Sequence, residues 1–260
     1  MIDRVTITGA DDSIRPDDLI PLTQEFPFVE WGILASANNT ISRGGVNRYP
    51  SARWISEIQR LADSGHFPNL ALHINGFWVR RLLLGESHVV PFDLWDNFAR
   101  VQLNFHAENN PCQGGPFSDR LREIGKQWIF QLDGENGNAH LDTANEFEVP
   151  NCRGLFDVSG GAGVLPDEWP KPIYLDVFPG LDGEGEEQHA YHGYAGGLGP
   201  HNLAEQIPRI LEAAAGTEHT REGRIWIDME THVRSGRDTQ FDMNKVRKCL
   251  EIAAPFVNPS

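Results

Sequence analysis

The sequence predicts a parallel α/β fold, a single (β/α)8 TIM barrel over residues 1–260 with long loops at its catalytic end. Short β-like runs recur eight times along the chain, and helix-like segments follow most of them. This alternation is typical of a parallel sheet covered by helices. The chain has 260 residues, and barrels of this kind run to about 250 residues as one domain.

The predicted strands and helices alternate along the whole chain. The strands are expected at residues 4–8, 28–34, 69–74, 98–105, 128–132, 154–158, 189–195 and 224–229. Helices are expected at residues 16–25, 51–64, 78–84, 203–215 and 243–254, and a further helix begins at 117–124. Ser51 is the expected N-cap of the second helix, in which Ile55, Ile58 and Leu61 form an apolar stripe at helical spacing.

Two segments fit the alternation poorly. Residues 134–150 are polar, and residues 160–187 hold many Gly, Pro and acidic residues without helical periodicity. We expect both to be long loops at the catalytic end, and mobile surface insertions are an equally open alternative. An open doubly wound sheet is the competing fold. It normally places a Gly-rich phosphate loop after its first strand, which Thr8-Gly-Ala-Asp11 is not.

Composition restricts the partners that the protein can have. The net charge of −15 disfavours nucleic acids and anionic membranes, but it allows a small anionic ligand at a locally positive site. No apolar run approaches the roughly 20 residues of a membrane span, and the N-terminus does not resemble a signal peptide. Cys112, Cys152 and Cys249 form no metal-type pair. We therefore expect a cytoplasmic protein with reduced cysteines and no cofactor; the oligomeric state is open.

The segment from Gly193 to Ile207 is the strongest candidate for a ligand site. A β-like run ends at Gly196-Gly197, and an amphipathic pattern begins a few residues later. Paired glycines let the backbone approach a ligand closely, and the free N–H groups of a new helix attract an anion. In barrels of this type the loops after strands seven and eight are the usual phosphate site. A tight turn without a ligand is the alternative.

Polar residues also occur at the ends of other predicted strands. Asp157 ends an apolar strand, where a lone carboxylate is costly unless it is solvated, paired or functional; capping the following turn is the alternative. His73 lies inside an apolar strand, either as a core histidine or as a ligand or base. Gln102 and Asn104 share one face of their strand. We expect both amides to line the mouth of the barrel.

The predicted eighth strand carries two carboxylates, Asp228 and Glu230, on one face because side chains alternate along a strand. A functional role and an ion pair with a neighbouring arginine such as Arg224 are equally open. A variant of the functional role would use such carboxylates with His73 to hold Mg²⁺ or Zn²⁺. No HxH or HExxH spacing supports a metal, so no metal site is predicted.

Several short motifs have counterparts in one known family. They are Val5-Thr-Ile-Thr8-Gly9, Gly32-Ile-Leu-Ala35 followed by Asn47-Arg48-Tyr49, Val101-Gln-Leu-Asn104, Leu155-Phe-Asp157, Ala195-Gly-Gly-Leu-Gly-Pro-His-Asn202 and Asp228-Met-Glu230-Thr231-His232. Scattered over most of the chain, they resemble the motifs of phosphoribosylanthranilate isomerase, a (β/α)8 barrel of tryptophan biosynthesis. The match at residues 195–202 is the strongest, to Ala-Gly-Gly-Leu-Asn-Pro-Glu-Asn in that family.

The resemblance implies roles for individual residues. That family rearranges an aminoaldose phosphate to an aminoketose phosphate. Its general acid, an aspartate after strand six, corresponds to Asp157, and the arginine that holds the substrate carboxylate corresponds to Arg48. Its phosphate site corresponds to the backbone of Gly196 and Gly197. Its general base, a cysteine after strand one, corresponds to Thr8.

Two departures from the family change the expected chemistry. A threonine hydroxyl such as that of Thr8 does not ionise near neutral pH, whereas a thiol of pKa about 8.5 can be adjusted to do so. The family's Ser-Ser-Gly phosphate loop is replaced by Glu230-Thr231-His232, and a carboxylate there repels phosphate unless it points away or binds a cation. Another base is therefore required, and Asp11, His73, Glu230 and His232 are the candidates.

Two functions follow from these observations. The first is an isomerase or related proton-transfer enzyme with an altered base, acting on a small phosphorylated, sugar-like substrate. The second is a non-catalytic barrel relative that binds a phosphorylated metabolite or acts as a scaffold. The absent cysteine favours the second function, whereas Asp157 and the polar strand ends favour the first.

Overall fold

The computed structural model describes residues 1–86, 88–104, 112–132, 139–157, 163–172, 191–215 and 224–258. Within these ranges, eight parallel strands close into a barrel in sequence order, with β8 pairing back onto β1. Strands β1 to β8 are Ile2–Thr8, Val29–Ser36, Leu70–Asn75, Arg100–Asn104, Gln127–Leu132, Cys152–Asp157, His192–Ala195 and Ile225–Met229. The predicted (β/α)8 barrel is confirmed.

Helices surround this barrel. Helices α1 to α7 are Ile20–Glu25, Ala52–Asp63, Phe77–Leu83, Gly114–Ile124, Ala139–Glu146, Leu203–Ala215 and Met243–Ala253. A 3-10 turn at Pro16–Leu19 precedes α1, and a π-helical turn at Ala37–Ser42 follows β2. After β8 comes a hairpin of two short antiparallel strands, β9 (Arg234–Ser235) and β10 (Gln240–Phe241).

Helix α2 has the features that its sequence predicts. The Ser51 hydroxyl oxygen caps the helix by accepting a hydrogen bond from Trp54 N at 3.3 Å, which satisfies one of the unpaired amides of the first turn. Ile55, Ile58 and Leu61 are all buried. The apolar stripe therefore faces the barrel, as its 3.6-residue period requires.

The prediction of a long loop at residues 134–150 is wrong in part, because α5 occupies Ala139–Glu146. This helix is short and polar, and it buries only His140, Leu141 and Ala144, too few positions to show a period. Its packing against α4 and β6 stabilises it, as tertiary contacts commonly do for short helices. Of the other predicted loop, residues 160–187, only 163–172 are described, and residues 105, 158 and 189–190 of three predicted strands also lie outside the described ranges.

Charged groups fill the amino-terminal part of the barrel interior. Glu30, which is 1% exposed, accepts hydrogen bonds from Arg4 Nη1 at 2.8 Å, Arg100 Nη1 at 2.9 Å and Thr6 Oγ1 at 2.9 Å. Burial alone would raise the pKa of Glu30, but the guanidinium groups of Arg100 and Arg4 and the hydrogen bonds lower it. Such an ion pair is costly to break, because either partner alone would be a buried charge.

Trp226 fills the middle of the barrel above this ion pair. The Arg100 guanidinium lies 4.2 Å from the centre of the indole ring, within the range of a cation–π interaction. A Cβ atom at Gly193 would lie 2.1 Å from Trp226 Cε2, so the neighbouring strand can carry only glycine there. Three apolar side chains complete the layer around the indole: Ile129, Leu155 and Ala195.

Two of the three cysteines are buried in the core. Cys112, Cys152 and Cys249 are free thiols, and burial raises the pKa of both Cys152 and Cys249 to about 12. These two thiols are therefore protonated at neutral pH and poorly reactive.

Across the described ranges, no helix has the length and apolar character needed to cross a membrane.

Candidate functional site

A pocket lies at the carboxyl-terminal ends of the strands, the face where (β/α)8 barrel enzymes have their active sites. One wall comes from the segments after β6, β7 and β8, and it includes Gly163, Gly196, Gly197, Leu198, Thr231 and His232. The floor comes from strand ends, and its polar members are Gln102, Gln131, Asp157, Asp228 and Glu230. The pocket thus combines a wall rich in glycine with an acidic floor.

The three segments of the wall are in close contact. A Cβ atom at Gly197 would lie 2.5 Å from Leu165 N, and one at Gly199 would lie 2.4 Å from His232 Cβ. His232 Nε2 is also 3.0 Å from the carbonyl oxygen of Gly163. These contacts require glycine at both positions, because any side chain would separate the segments.

The backbone at the end of β7 is suited to an anion. Gly196 and Gly197 have φ angles of 113° and 64°, in the region that glycine alone adopts without strain. Asn202 fixes the turn before α6: its Oδ1 accepts from Gly199 N at 2.9 Å, and its Nδ2 donates to Gly197 O at 2.8 Å. Among the residues that the structure describes, no protein acceptor bonds the N–H of Gly196 or Gly197. These N–H groups remain for a ligand.

Three carboxyl groups face the same pocket. Asp157 ends β6, and Asp228 and Glu230 lie two positions apart at the end of β8, on the shared face that their spacing predicts. Asp228 is only 6% exposed, and its Oδ1 accepts the hydroxyl hydrogen bond of Thr8 at 2.8 Å. Burial raises the pKa of Asp228 well above the usual value, and the charges of Glu230 and other nearby carboxylates add to the rise.

Glu230 forms the ion pair that the sequence left open, but its partner is Arg48 from the loop after β2. Arg48 Nη1 donates to Glu230 Oε1, while its Nε and Nη2 donate to Asp238 Oδ2 at 3.0 and 2.7 Å. Burial raises the pKa of Glu230, Arg48 acts in the opposite direction, and the net direction is upward. The guanidinium that the resemblance assigns to a substrate carboxylate already binds two carboxylates of the protein.

Arg48 belongs to a larger charged network. Its backbone N–H, at a left-handed φ of 62°, donates to Asp11 Oδ2 at 2.7 Å. The buried Arg234 donates to the same Asp11 oxygen at 2.6 Å and to Asp238 Oδ1 at 2.7 Å. Burial alone would raise the pKa of Asp11, but hydrogen bonds from Ser13 and the charge of Arg234 lower it. Asp11 is therefore a fixed anion and a weak base.

His73 and Thr8 lie below the pocket, on either side of the β2 backbone. A Cβ atom at Gly32 would lie 2.2 Å from Thr8 Oγ1 and 3.0 Å from His73 Cε1. His73 is 1% exposed, and burial lowers its pKa to about 4, so the imidazole is neutral. Nearer the pocket, Gln102 Nε2 donates to Asn104 Oδ1 at 2.9 Å, whereas Gln102 Oε1 has no partner in the described structure.

The structure gathers only part of the predicted site into the pocket. The predicted residues that line it are Gln102, Asp157, Gly196, Gly197, Glu230, Thr231 and His232. The predicted residues that lie outside this lining are Thr8, Asp11, Arg48, His73 and Asn104. Gln131 was missed, although a glutamine inside the apolar run 128–132 was a detectable signal; its Nε2 lies 3.4 Å from Asp157 Oδ2. Within the described ranges, no group of three or more His, Cys, Asp or Glu residues could hold a metal.

The fold defines this protein as a (β/α)8 barrel, and comparison with solved structures agrees. The chain is similar to N-(5'-phosphoribosyl)anthranilate isomerase from Pyrococcus furiosus, with a TM-score of 0.52 and 12% identity over 97% of this chain and 99% of that one. It is also similar to a Rubisco-like protein from Rhodopseudomonas palustris, with a TM-score of 0.47 and 10% identity over 99% of this chain and 65% of that one. No protein-family model and no curated protein sequence match it. Likeness at 12% identity establishes the fold alone.

Proposed function

We propose that this protein is an isomerase-type enzyme that transfers a proton within a small phosphorylated, sugar-like substrate. The observation that carries the proposal is the composition of one pocket, in which three carboxyl groups face a glycine-rich wall with unused backbone N–H groups. Phosphate binding and proton transfer require these two kinds of group in close proximity.

The glycine wall is the proposed phosphate end of the site. The N–H groups of Gly196 and Gly197 have no protein acceptor in the described structure, and the 13-residue helix α6 begins shortly afterwards at Leu203. Backbone N–H groups and the positive end of a helix both favour an anion. Thr231 adds a hydroxyl group on the facing segment.

The acidic floor is the proposed proton-transfer end. Carboxylates that share a pocket resist simultaneous ionisation, so one can hold a proton while another accepts one. We assign Glu230 as the base, because the ion pair with Arg48 favours its ionised form while burial keeps its pKa raised overall. Asp157 is the acid that the resemblance implies. Glu230 would take the proton from the carbon beside a carbonyl, and Asp157 would protonate the carbonyl oxygen.

A solvent-exchange experiment tests the assignment. The protein is incubated in D₂O with a panel of aldose and ketose phosphates, and deuterium incorporation at carbon is measured by mass spectrometry. We expect incorporation with the native protein and a loss of about 10²- to 10⁴-fold in Asp157→Asn and Glu230→Gln. Asp119→Asn, an exposed carboxylate on α4, is the matched control.

The same experiment separates the two functions considered from the sequence. Phosphate esters that bind in the pocket without any deuterium incorporation would favour the non-catalytic metabolite-binding barrel. The hydrogen bond that Thr8 donates to Asp228 supports this non-catalytic alternative. Thr8 occupies the position of the family's base, and a hydroxyl group that acts there as a donor cannot accept a substrate proton.

A further inference from the structure

We infer that the substrate is a phosphorylated amine whose ammonium group binds between the pocket carboxylates and the side-chain carbonyl of Gln102. This inference rests on the proposed function and narrows its substrate class. The substrate would be zwitterionic, with phosphate at the glycine wall and a cation at the acidic floor. A second anionic group, such as a carboxylate, would be excluded.

The charges around the pocket are the first support. Its described lining contains three carboxyl groups, Asp157, Asp228 and Glu230, and no lysine or arginine. Arg48 contacts Glu230 from outside this lining and is shared with Asp238. The floor therefore attracts a cation and repels an anion. The phosphate can be held only at the opposite wall, where backbone N–H groups are unused.

Gln102 is the second, independent support. Its side chain is 3% exposed and belongs to the pocket lining. Its Nε2 donates to Asn104 Oδ1, and its Oε1 has no partner in the described structure. A buried acceptor without a donor is costly, so its presence calls for a ligand that donates a hydrogen bond.

An ammonium group satisfies both requirements at once. It carries a positive charge for the carboxylates, and each of its N–H bonds can donate to an acceptor such as Gln102 Oε1. A divalent metal ion would also meet the charge requirement, but no described group of side chains has the arrangement to hold one. A neutral hydroxyl group could donate to Gln102 but carries no charge to attract the carboxylates of the floor.

Three matched ligands test the inference by isothermal titration at pH 7: glucosamine 6-phosphate, glucose 6-phosphate and 6-phosphogluconate. They share a phosphate and differ in carrying an ammonium group, a hydroxyl group or a carboxylate. We expect the ammonium ligand to bind at least about tenfold more tightly than the hydroxyl ligand, the increment of one charge-assisted hydrogen bond. The carboxylate ligand should bind most weakly.

Two variants locate the preference. Asp228→Asn and Gln102→Met should reduce the preference for the ammonium ligand over glucose 6-phosphate to near parity. Asp119→Asn should leave the preference intact. Equal affinities for the first two ligands in the native protein would overturn the inference, and so would a preference that survives in Asp228→Asn.

Inorganic phosphate separates this inference from the proposed function on which it rests. If phosphate binds, and binds more weakly in Thr231→Asp than in the isosteric Thr231→Asn, the phosphate site stands whatever the ligand series shows. Loss of the ammonium preference alone would then overturn only the amine subsite. Absence of binding by phosphate and by all three esters would overturn both proposals.

Discussion

The Thr8 hydroxyl donates a hydrogen bond to Asp228 Oδ1 at 2.8 Å across the seam where β1 and β8 close the barrel. Both side chains are buried, so water cannot replace either partner. The bond makes the threonine a donor to the acidic floor of the pocket. It also links the first and last strands of the barrel by side chains as well as by backbone.

Removing this donor should destabilise the protein. Thr8→Val preserves the shape of the side chain but leaves a buried carboxyl oxygen unsatisfied, and we expect a loss of about 1–3 kcal/mol in the free energy of unfolding. Thr8→Ser, which retains the hydroxyl, is the control for packing. Urea denaturation at pH 7 measures both changes. In the Asp228→Leu background the effect of Thr8→Val should largely disappear, and an undiminished effect there would show that the bond is not its source.

Asp228→Asn should gain stability relative to the native chain as pH rises. The pKa of Asp228 is raised in the folded state, so the folded state holds a proton that the unfolded state has released. Native stability therefore falls as pH rises from the unfolded value of about 3.9 through the folded pKa, by at most about 1.4 kcal/mol per pH unit. Denaturation curves measured upward from about pH 4, where the unfolded carboxyl group ionises, should show the variant's advantage growing. A constant difference would contradict the raised pKa.

His73 should make the native protein less stable at acidic pH, the opposite of the pH dependence expected from Asp228. Its pKa is lowered to about 4 in the folded state, whereas an unfolded histidine titrates near 6.5. The unfolded state therefore gains a proton first, and stability falls as pH decreases from about 6.5 to about 4, by roughly 3 kcal/mol in all. His73→Gln should remove this loss. Equal acid sensitivity of the native protein and the variant, measured by urea denaturation at about pH 7.5 and 4.5, would contradict the buried neutral imidazole.

Gly197→Ala should cost more than an alanine placed at a glycine with the same backbone conformation. Gly44 has a φ of 68° and open space where a Cβ atom would lie, whereas a Cβ atom at Gly197 would lie 2.5 Å from Leu165 N and 2.7 Å from Val164 C. We expect about 1–2 kcal/mol at Gly44 from the left-handed backbone alone, and at least about 3 kcal/mol at Gly197 from added overpacking. Thermal denaturation of the two variants measures the difference. Similar losses would show that the wall segments can separate.

The protein should turn over phosphoribosylanthranilate poorly or not at all. Thr8 supplies no thiolate, the Arg48 guanidinium is bound by Glu230 and Asp238, and the floor repels the anthranilate carboxylate. Loss of a general base alone lowers rates by about 10²- to 10⁴-fold. A steady-state turnover assay with this substrate gives the rate. A kcat within the ordinary enzyme range of about 1 to 10³ per second would contradict the acidic site described above.

The sequence predicts the barrel well because its strands are short apolar runs with clear boundaries. It also identifies the wall of the pocket, since a glycine pair after strand seven has a known place in this fold. Helix α5 escaped prediction because its apolar contacts are supplied by α4 and β6. Local periodicity carries no information about such contacts.

The charged contacts of the site could not be predicted from the sequence, for a different reason. Arg48 and Glu230 are 182 residues apart, and Thr8 and Asp228 are 220 apart. Such partners are determined by closure of the barrel and by the rotamers of long side chains. The family resemblance therefore implied that Arg48 holds a substrate carboxylate, whereas in the structure two protein carboxylates bind it.

The contact between Gly193 and Trp226 limits how relatives of this protein can diverge. The indole occupies the volume that a side chain on β7 would need, so neither position can change size independently. A lineage that gains even a methyl group at position 193 must first or simultaneously accept a smaller residue at 226, and the Arg100 guanidinium then loses its aromatic neighbour. In an alignment of relatives, these three positions should vary together, and the charge at position 30 should follow them.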